Sequence, residues 1–431
     1  MTLACLILAG EAVFSLPFHV LRFFRATTLE VFGFSNTQLG DSFAVYGVTA
    51  MISYFFGGPL ADRFSARKMI ATSLIATGLG GFYMATIPGF VGTTILFGYW
   101  GVTTILFLWA ALMRATRQWG GAAEQGRAFG MLDGGRGLAA AVMASLAVVL
   151  FGLFLPYETA AITAAERLAA LRSVIYFYTF TTLLAGVLAL IAIPESRRDR
   201  TSTPGNPLPA VANVIRTPTV WAQAIIVVCA YCAYKGLDNY SLYAVEVLQM
   251  SELGAAQFTA SATYIRLFAA IGAGLLADRF TARHTIGGLY VVLTVSYVLL
   301  AVSTPAAGLV GIIYANLLVT FAATYGLRGI YFALLEETRV PSHTTGTAVG
   351  VISVVGFTPE IFFASIAGRI LDYSPGVAGH QNFFVFLAGI AVVGVGAALV
   401  LGRMVGRQHQ PDASLTLAGV RPCASQQEES P

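Results

Sequence analysis

The chain has 431 residues, of which 57% are hydrophobic and only 11% are charged. Soluble domains average about 25% charged residues, so this composition excludes an ordinary water-soluble globule. The mean hydropathy is +0.74, and a spanning helix needs roughly 20 apolar residues, so the sequence predicts a membrane protein with about a dozen spans. The net charge of +4 is spread without a dense basic cluster. We therefore expect no nucleic-acid partner and take the lipid bilayer as the solvent.

Apolar stretches bounded by charged or turn residues form two sets of six. The first set lies at about 3–25, 38–60, 69–88, 93–115, 129–155 and 173–193, and the second at about 219–246, 257–277, 285–303, 307–335, 345–368 and 381–402. The expected fold is an all-α membrane protein with 12 transmembrane helices in two six-helix bundles, at 1–193 and 219–405. The polar, proline-containing residues 194–218 are predicted to be a cytoplasmic linker. Residues 406–431 have the composition of a disordered tail.

The basic residues in the loops predict the orientation, because cytoplasmic loops retain Lys and Arg. With the N-terminus inside, fifteen Lys and Arg residues fall in the inner loops and tail. Only Arg25, Arg167, Arg172 and Arg369 fall outside. Both termini are therefore predicted to be cytoplasmic, in a multi-pass protein of the plasma membrane, which is the bacterial inner membrane.

Two loops of the chain carry the same motif. GPLADRFSARK at 58–68 recurs as GLLADRFTARH at 274–284, which aligns Asp62 with Asp278 at a separation of 216 residues. The same separation aligns the short segment at 29–31 with 245–247. Such matches predict duplicated, pseudo-symmetric halves, an arrangement typical of transporters that rock two bundles about a central site.

This repeated loop, G-x-L-A-D-R-x-x-x-R-[KRH], resembles the signature loop of the major facilitator superfamily. The resemblance extends over essentially the whole chain in helix number, loop charge and repeat. It implies a transporter whose loops hold the two bundles together in one state and release them in another. Asp62 is expected to accept hydrogen bonds from the N-terminal amides of a helix in the opposite half. The implied gating residues are Asp62, Arg63, Arg67, Asp278, Arg279 and Arg283; alternatively, the arginines only fix the topology.

Ionisable residues also occur inside the predicted spans. A cation at mid-membrane costs at least about 2.5–3.5 kcal/mol, so such residues normally face a cavity. The cations outnumber the acids, which predicts a cavity for a small organic anion such as a sugar phosphate, a sulfonate or a carboxylate. The candidate substrate-binding residues are His19, Arg22, Arg25, Arg136, Tyr234, Lys235, Asp238 and Arg266.

Some of these charges have other interpretations. Arg25 is also placed to extend its head group to the membrane surface. Lys235 and Asp238, three residues apart on a helix, are also able to form an internal pair. Arg114 and Arg328 are predicted either to pair with nearby acids or to support gating.

The repeat aligns Lys235 with His19 and Asp238 with Arg22, so each half contributes a cationic or protonatable group near the same depth. Two such donors can clamp a phosphate or sulfonate between them. A closer resemblance is to the organophosphate and hexose-phosphate antiporters. It rests on the W-x(4)-E-x-G-like loop at 119–126 and on KGLDNYSLY in the seventh helix. It implies that His19 or Arg22 grips phosphate together with Lys235, and that Arg136 lies near a substrate-binding position.

Coupling requires a group that exchanges a proton or a second solute. Glu11, Asp41 and Glu360 are the candidates for a proton, and inorganic phosphate is the alternative coupling ion. The sequence contains no H-E-x-x-H, no G-x-S-x-G and no cluster of metal ligands, so we expect neither an enzyme nor a cofactor or metal. A monomer is expected. Two other functions remain open, a transporter-like sensor without transport and a carrier of a non-anionic metabolite.

Overall fold

The computed structural model describes residues 1–121, 124–155, 162–195, 208–304, 309–338 and 345–408. Within these residues the secondary structure is helical, without β-strands. The helices group into twelve segments, α1–α12, some of them broken. The predicted all-α membrane fold is therefore confirmed.

The first half contains α1–α6. Their bounds are Thr2–Ala12, Ser15–His19, Val20–Phe23 and Arg25–Phe32 for the broken α1, Asn36–Arg63 for α2, Ala66–Met84 for α3, Phe90–Ile105 and Trp109–Gly120 for α4, Gln125–Leu153 for α5, and Ala164–Ala192 for α6. A short helix, Leu208–Ile215, lies in the predicted linker.

The second half repeats this pattern as α7–α12. Their bounds are Pro218–Gly236, Leu237–Asn239 and Tyr240–Glu246 for α7, Glu252–Thr263 and Ile265–Phe280 for α8, Ala282–Val302 for α9, Val310–Ile330, Tyr331–Ala333 and Leu334–Glu337 for α10, Thr345–Gly356 and Pro359–Tyr373 for α11, and Val377–Gln408 for α12. The predicted linker residues 196–207 and the tail beyond 408 lie outside the described residues.

Length and apolar character identify ten helices of the described chain as candidate membrane spans, or eleven when the bent first segment counts as one. The bend of 41° separates Thr2–Ala12 from Ser15–Phe23. The predicted third span is present as α3, but it is not among the ten. Its first turn carries Arg67 and Lys68, which lower its average hydropathy.

Each half has its own hydrophobic core. One cluster of buried side chains contains residues only of the second half, from Val214 to Val405. Two others belong to the first half, and one of these also includes Ala256 and Ala260 of α8. Two separately packed bundles that meet along an interface can change their relative position without repacking their cores.

The halves meet closely at one end of the molecule, here called the closed end. There α2 crosses α11, and a Cβ on Gly40 would overlap the carbonyl of Ala364. A Cβ on Gly368 would in the same way overlap the carbonyl of Asn36. The repeated loops at 58–68 and 274–284 lie at the other end, called the open end.

Candidate functional site

A cavity of about 910 Å³ lies between the two halves and is lined by α1, α2, α4, α5, α7, α8, α10 and α11. It extends toward the open end, since Met51, Tyr54 and Trp109 line it and lie on the loop side of their helices. Six predicted substrate-binding residues are brought together in its wall: His19, Arg22, Arg136, Tyr234, Lys235 and Arg266.

A first ionic group joins α1, α7 and α11. Arg22 Nε donates to Asp238 Oδ1 at 2.5 Å, and Lys235 Nζ lies 3.1 Å from Asp238 Oδ2. Lys235 Nζ also donates to Glu360 Oε1 at 3.2 Å, and the Tyr231 hydroxyl donates to Glu360 Oε2 at 2.7 Å. All of these side chains are at least nine-tenths buried except Tyr231.

Arg22 and Asp238 are 216 residues apart, which is the repeat separation. Equivalent residues of two related halves can touch only where they lie near the axis that relates the halves. The contact therefore places Arg22 and Asp238 at the centre of the molecule. The broken segments α1 and α7 carry this pair, with a π-helical turn at Ser15–His19 and a 3-10 turn at Leu237–Asn239.

A second ionic group contributes Glu11, His19, Arg136 and Arg266 to the wall of the same cavity. Glu11 of α1 is 3.2 Å from His19 Nε2 and 3.2 Å from Arg136 Nε. Asp133 of α5 is 3.9 Å from Arg136 Nη1 and 3.1 Å from Arg266 Nη2 of α8. This group therefore also connects the halves.

Arg328 of α10 lines the same cavity and was not among the predicted binding residues. Its guanidinium lies 3.7 Å from the ring centroid of Tyr234 and 5.7 Å from that of Tyr231. Its Nη1 is buried and has no hydrogen-bond partner among the described residues. The cost of an intramembrane arginine makes Arg328 a functional candidate, but the sequence predicts pairing with an acid or a gating role equally well.

Two predicted binding residues do not line the cavity. Arg25 lies at the closed end, where its Nε and Nη2 donate to Asn36 Oδ1 at 3.3 and 3.1 Å. Asp238 is buried behind Arg22 and Lys235 and holds both cations in place. Among the coupling candidates, Glu11 and Glu360 line the cavity, whereas Asp41 pairs with Arg369 at the closed end, 2.8 Å from its Nη1.

The predicted gating residues lie at the open end. Arg67 Nη2 is 3.2 Å from Glu195 Oε2, and Arg283 Nε is 3.9 Å from Glu337 Oε2, so both pairs join residues of one half. Asp278 and Arg279 are exposed. Arg63 ends α2, and the side chain of Asp62 lies outside the described part of the structure. Arg114 donates to the carbonyls of Ala61 and Phe64, which ties α4 to the loop at 58–68.

The charges of the cavity are largely compensated. His19, Arg136 and Lys235, the residues on which the anion hypothesis depends most, each contact a carboxylate. They nevertheless line the central chamber and are not directed at lipid. The geometry thus leaves both an anionic and a neutral polar solute chemically acceptable.

A model of the Major Facilitator Superfamily matches residues 7–364. The chain belongs to this superfamily. It is a membrane transporter and not an enzyme, in agreement with the prediction from the repeated loop. The finer resemblance to organophosphate antiporters stays a prediction.

Two curated relatives extend over nearly the whole chain. Inner membrane protein YqcE of Escherichia coli K12 is 28% identical over 406 residues, covering 91% of this chain and 92% of the relative. Inner membrane protein YihN of the same organism is 25% identical, with coverage of 94% and 96%.

Solved structures share the fold. The nucleoside transporter NupG, as a D323A mutant, superposes with a TM-score of 0.74 at 11% identity, covering 93% of this chain and 98% of that chain. A D-xylose-proton symporter gives a TM-score of 0.69 at 17% identity, with coverage of 93% and 95%. A bacterial homologue of the lysosomal transporter Spinster, in an inward-facing and unoccupied conformation, gives 0.69 at 14% identity, with coverage of 95% and 98%.

Proposed function

We propose that this protein is a secondary active transporter of a small organic anion and works by alternating access. One observation carries the proposal. Around the cavity the described cations Arg22, Arg136, Lys235, Arg266 and Arg328 outnumber the carboxylates Glu11, Asp133, Asp238 and Glu360 by one. These nine groups leave one positive charge uncompensated, which a monoanion would neutralise.

Arg328 is the cation that we assign to the substrate. The other four are within 4.0 Å of a carboxylate, at distances of 2.5 Å for Arg22 and 3.1 Å for Lys235 and Arg266. Arg328 instead lies against aromatic faces with a free, buried Nη1. A guanidinium presents a planar pair of donors that matches a carboxylate, phosphate or sulfonate. The ring of Tyr234 lies against the Arg328 guanidinium, and the Tyr234 hydroxyl also accepts a hydrogen bond from Arg22 Nη1 at 3.0 Å.

The uncharged part of the substrate has aromatic surfaces beside it. Phe14, Trp109 and Phe357 line the cavity together with Tyr46 and Tyr54. Apolar walls with a few charged groups are typical of small-molecule sites. A sugar phosphate, a sulfonate or a carboxylate satisfies this arrangement equally.

Coupling of transport to a second ion is assigned to the two carboxylates of the cavity wall, Glu360 and Glu11. When an anion approaches Lys235, Glu360 competes with it for the same ammonium, and protonation of Glu360 would remove the competition. Glu11 has the same relation to Arg136 and His19. Proton symport through either residue and exchange against inorganic phosphate are therefore the two coupling modes that we propose to distinguish.

We further propose that the protein works as a monomer in the bacterial inner membrane with both termini in the cytoplasm. This orientation rests on the excess of Lys and Arg in one set of loops. The inner-membrane location, but not the orientation, is in keeping with the names of the two relatives, which call them inner membrane proteins. The cavity then faces the cytoplasm in the present conformation.

The first test is a thermal-shift screen of the purified protein against sugar phosphates, sulfonates, dicarboxylates and matched neutral sugars. A ligand of the folded state raises the apparent melting temperature by mass action. We expect an anion to stabilise the protein and to show counterflow in proteoliposomes. Arg328→Ala should weaken its binding about tenfold or more, because charge-assisted hydrogen bonds contribute about 1.5–3 kcal/mol.

Arg328→Lys should retain part of the affinity, since it keeps the charge but loses the planar fork. Arg127→Gln, at an exposed arginine on α5, is the control and should leave binding unchanged. Equal stabilisation by neutral sugars, together with full binding by Arg328→Ala, would refute the anion and support a non-anionic carrier. Binding without counterflow would identify a sensor.

A further inference from the structure

A groove separates α9 from α12 at the open end, on the outside of the second half. Its rim carries Arg283 and His284 from the first turn of α9 and Arg403 from the end of α12. Farther from the rim its walls are apolar and include Val395 and Leu399. No residue lines both this groove and the central cavity, so the groove is a separate surface.

Glycines open the groove near its rim. Close to the middle of the membrane, α9 and α12 pack tightly, because a Cβ on Gly394 would lie 2.5 Å from the ring of Tyr290. Toward the open end, a Cβ on Gly288 or Gly402 would meet nothing within 4 Å. The glycines therefore leave unfilled space along the groove toward its charged rim, although Gly287 still approaches Ala398 there.

The groove faces lipid and ends at the membrane surface. Both helices are candidate spans, Ala282–Val302 and Val377–Gly406, so the cations lie at their ends and the apolar walls lie within the membrane. Leu399 is 60% exposed in the protein alone and Val291 is 49% exposed. From Arg283 to Val291 the helix rises about 12 Å, which is enough to hold much of an acyl chain.

The equivalent position in the first half is paired and packed. There Arg67 and Lys68, which align with Arg283 and His284, share Glu195 at 3.2 and 3.8 Å. Ala71, in the position of Gly287, is buried in the first-half core. In the first half the two cations therefore share one carboxylate, and the position that matches Gly287 is packed.

We propose that the groove between α9 and α12 binds an anionic phospholipid. The phosphate lies between Arg283 and Arg403, and one acyl chain lies along the apolar walls. Among the described residues, Arg403 has no carboxylate partner. The Arg283 guanidinium lies 3.9 Å from Glu337, whose other oxygen accepts from the Arg283 backbone amide at 3.3 Å. Basic pockets between spanning helices at the membrane surface favour anionic head groups, and each Lys or Arg there contributes about a fivefold gain in affinity.

The test compares phosphatidylglycerol with phosphatidylcholine of the same acyl chains, titrated into the full-length protein in detergent. Thermal stability and the number of lipids retained in native mass spectrometry are the readouts. We expect phosphatidylglycerol to stabilise the protein more strongly and to be retained. Arg403→Ala should weaken this effect about fivefold, whereas Lys68→Ala, which removes an exposed cation at the open end of the first half, should not alter it.

A second pair of variants tests the groove itself. Gly288→Leu fills the open space and should abolish lipid retention, whereas Gly389→Leu, at another glycine of α12 with open space around it, should retain it. Inorganic phosphate alone should not reproduce the stabilisation, since it has no acyl chain. Equal effects of the two lipids, equal losses in Arg403→Ala and Lys68→Ala, full retention by Gly288→Leu, or stabilisation by inorganic phosphate alone would each overturn the proposal.

Discussion

The two ends of the molecule hold the halves in different ways. At the closed end, Asp372 of α11 accepts from the backbone amides of Asn36 and Thr37 at 3.1 and 2.7 Å, which caps α2 in the other half. Arg369 pairs with Asp41 across the same interface. At the open end, the described pairs of the two repeated loops stay within one half. The structure thus represents a state that is closed at one end only.

A further cross-half network strengthens the closed end. Arg167 at the start of α6 contacts Glu30 in its own half and lies 2.8 Å from Glu252 of α8 in the other. Thr27 donates to the same Glu252. Most of these groups are partly exposed, and such pairs contribute only about 0.2–1 kcal/mol each. The closed end is therefore held by many weak contacts, which a change of state can release together.

The largest effect on the closed end is expected from separating α2 from α11. Gly40→Leu places a side chain against the backbone of Ala364 and Ser365, which cannot move aside as a flexible side chain would. We expect the closed end to separate and transport to fall more than about tenfold, since the two-state equilibrium is driven to the other state. The readout is maleimide labelling of Ala256→Cys, a position that is fully buried against the first-half core.

The labelling uses a background in which Cys5, Cys229, Cys232 and Cys423 are replaced by Ser. Gly389→Leu serves as the control because open space surrounds that glycine on the surface of α12. Labelling of Ala256→Cys should rise in Gly40→Leu and remain low in the control. A protein with Gly40→Leu that transports normally would show that this crossing does not hold the closed end.

Asp372→Ala should have a smaller effect. It removes the acceptor of three hydrogen bonds from Asn36 and Thr37, including one from the Asn36 side chain at 3.2 Å. A helix cap contributes about 1 kcal/mol, so we expect the labelled fraction of Ala256→Cys to rise about fivefold. Asp372→Asn keeps one acceptor oxygen, so its labelled fraction should lie between those of the parent and of Asp372→Ala. If Asp372→Ala labels no faster than the parent, the cap does not contribute to closure.

The fold was largely predictable because lipid imposes a simple code on the sequence. Apolar length gave the helices, and the repeat at 58–68 and 274–284 gave the two halves. The breaks were harder to predict. The π-helical turn at Ser15–His19 contains Pro17, which cannot donate a backbone hydrogen bond, and apolar length does not reveal such a break.

The sequence predicted most residues of the site but not most of the ion pairs that they form. Intramembrane cost identified Arg136, Lys235 and Arg266, and the repeat aligned Arg22 with Asp238, which are in contact. The sequence offered the pair of Lys235 with Asp238, which the structure shows, but it could not show the pairs between helices, because helix rotation decides these. Arg328 was therefore left without a binding role, although its buried Nη1 has no hydrogen-bond partner among the described residues. Arg25 was placed in the site, although the kinked α1 carries it to the closed end.

The smallest effect is expected at the open end, where Glu195→Gln removes the partner of Arg67 and Lys68. The side chain of Glu195 is 53% exposed, so solvent weakens the pair. We expect the free energy of unfolding to fall by about 0.2–1 kcal/mol. Labelling of Ala256→Cys should change less than about twofold, because the pair joins residues of one half only. Glu124→Gln, which removes another exposed pair, is the control. A rise in labelling as large as that of Asp372→Ala would mean that the open end also holds the halves together in this state, and the contrast between the two ends would be lost.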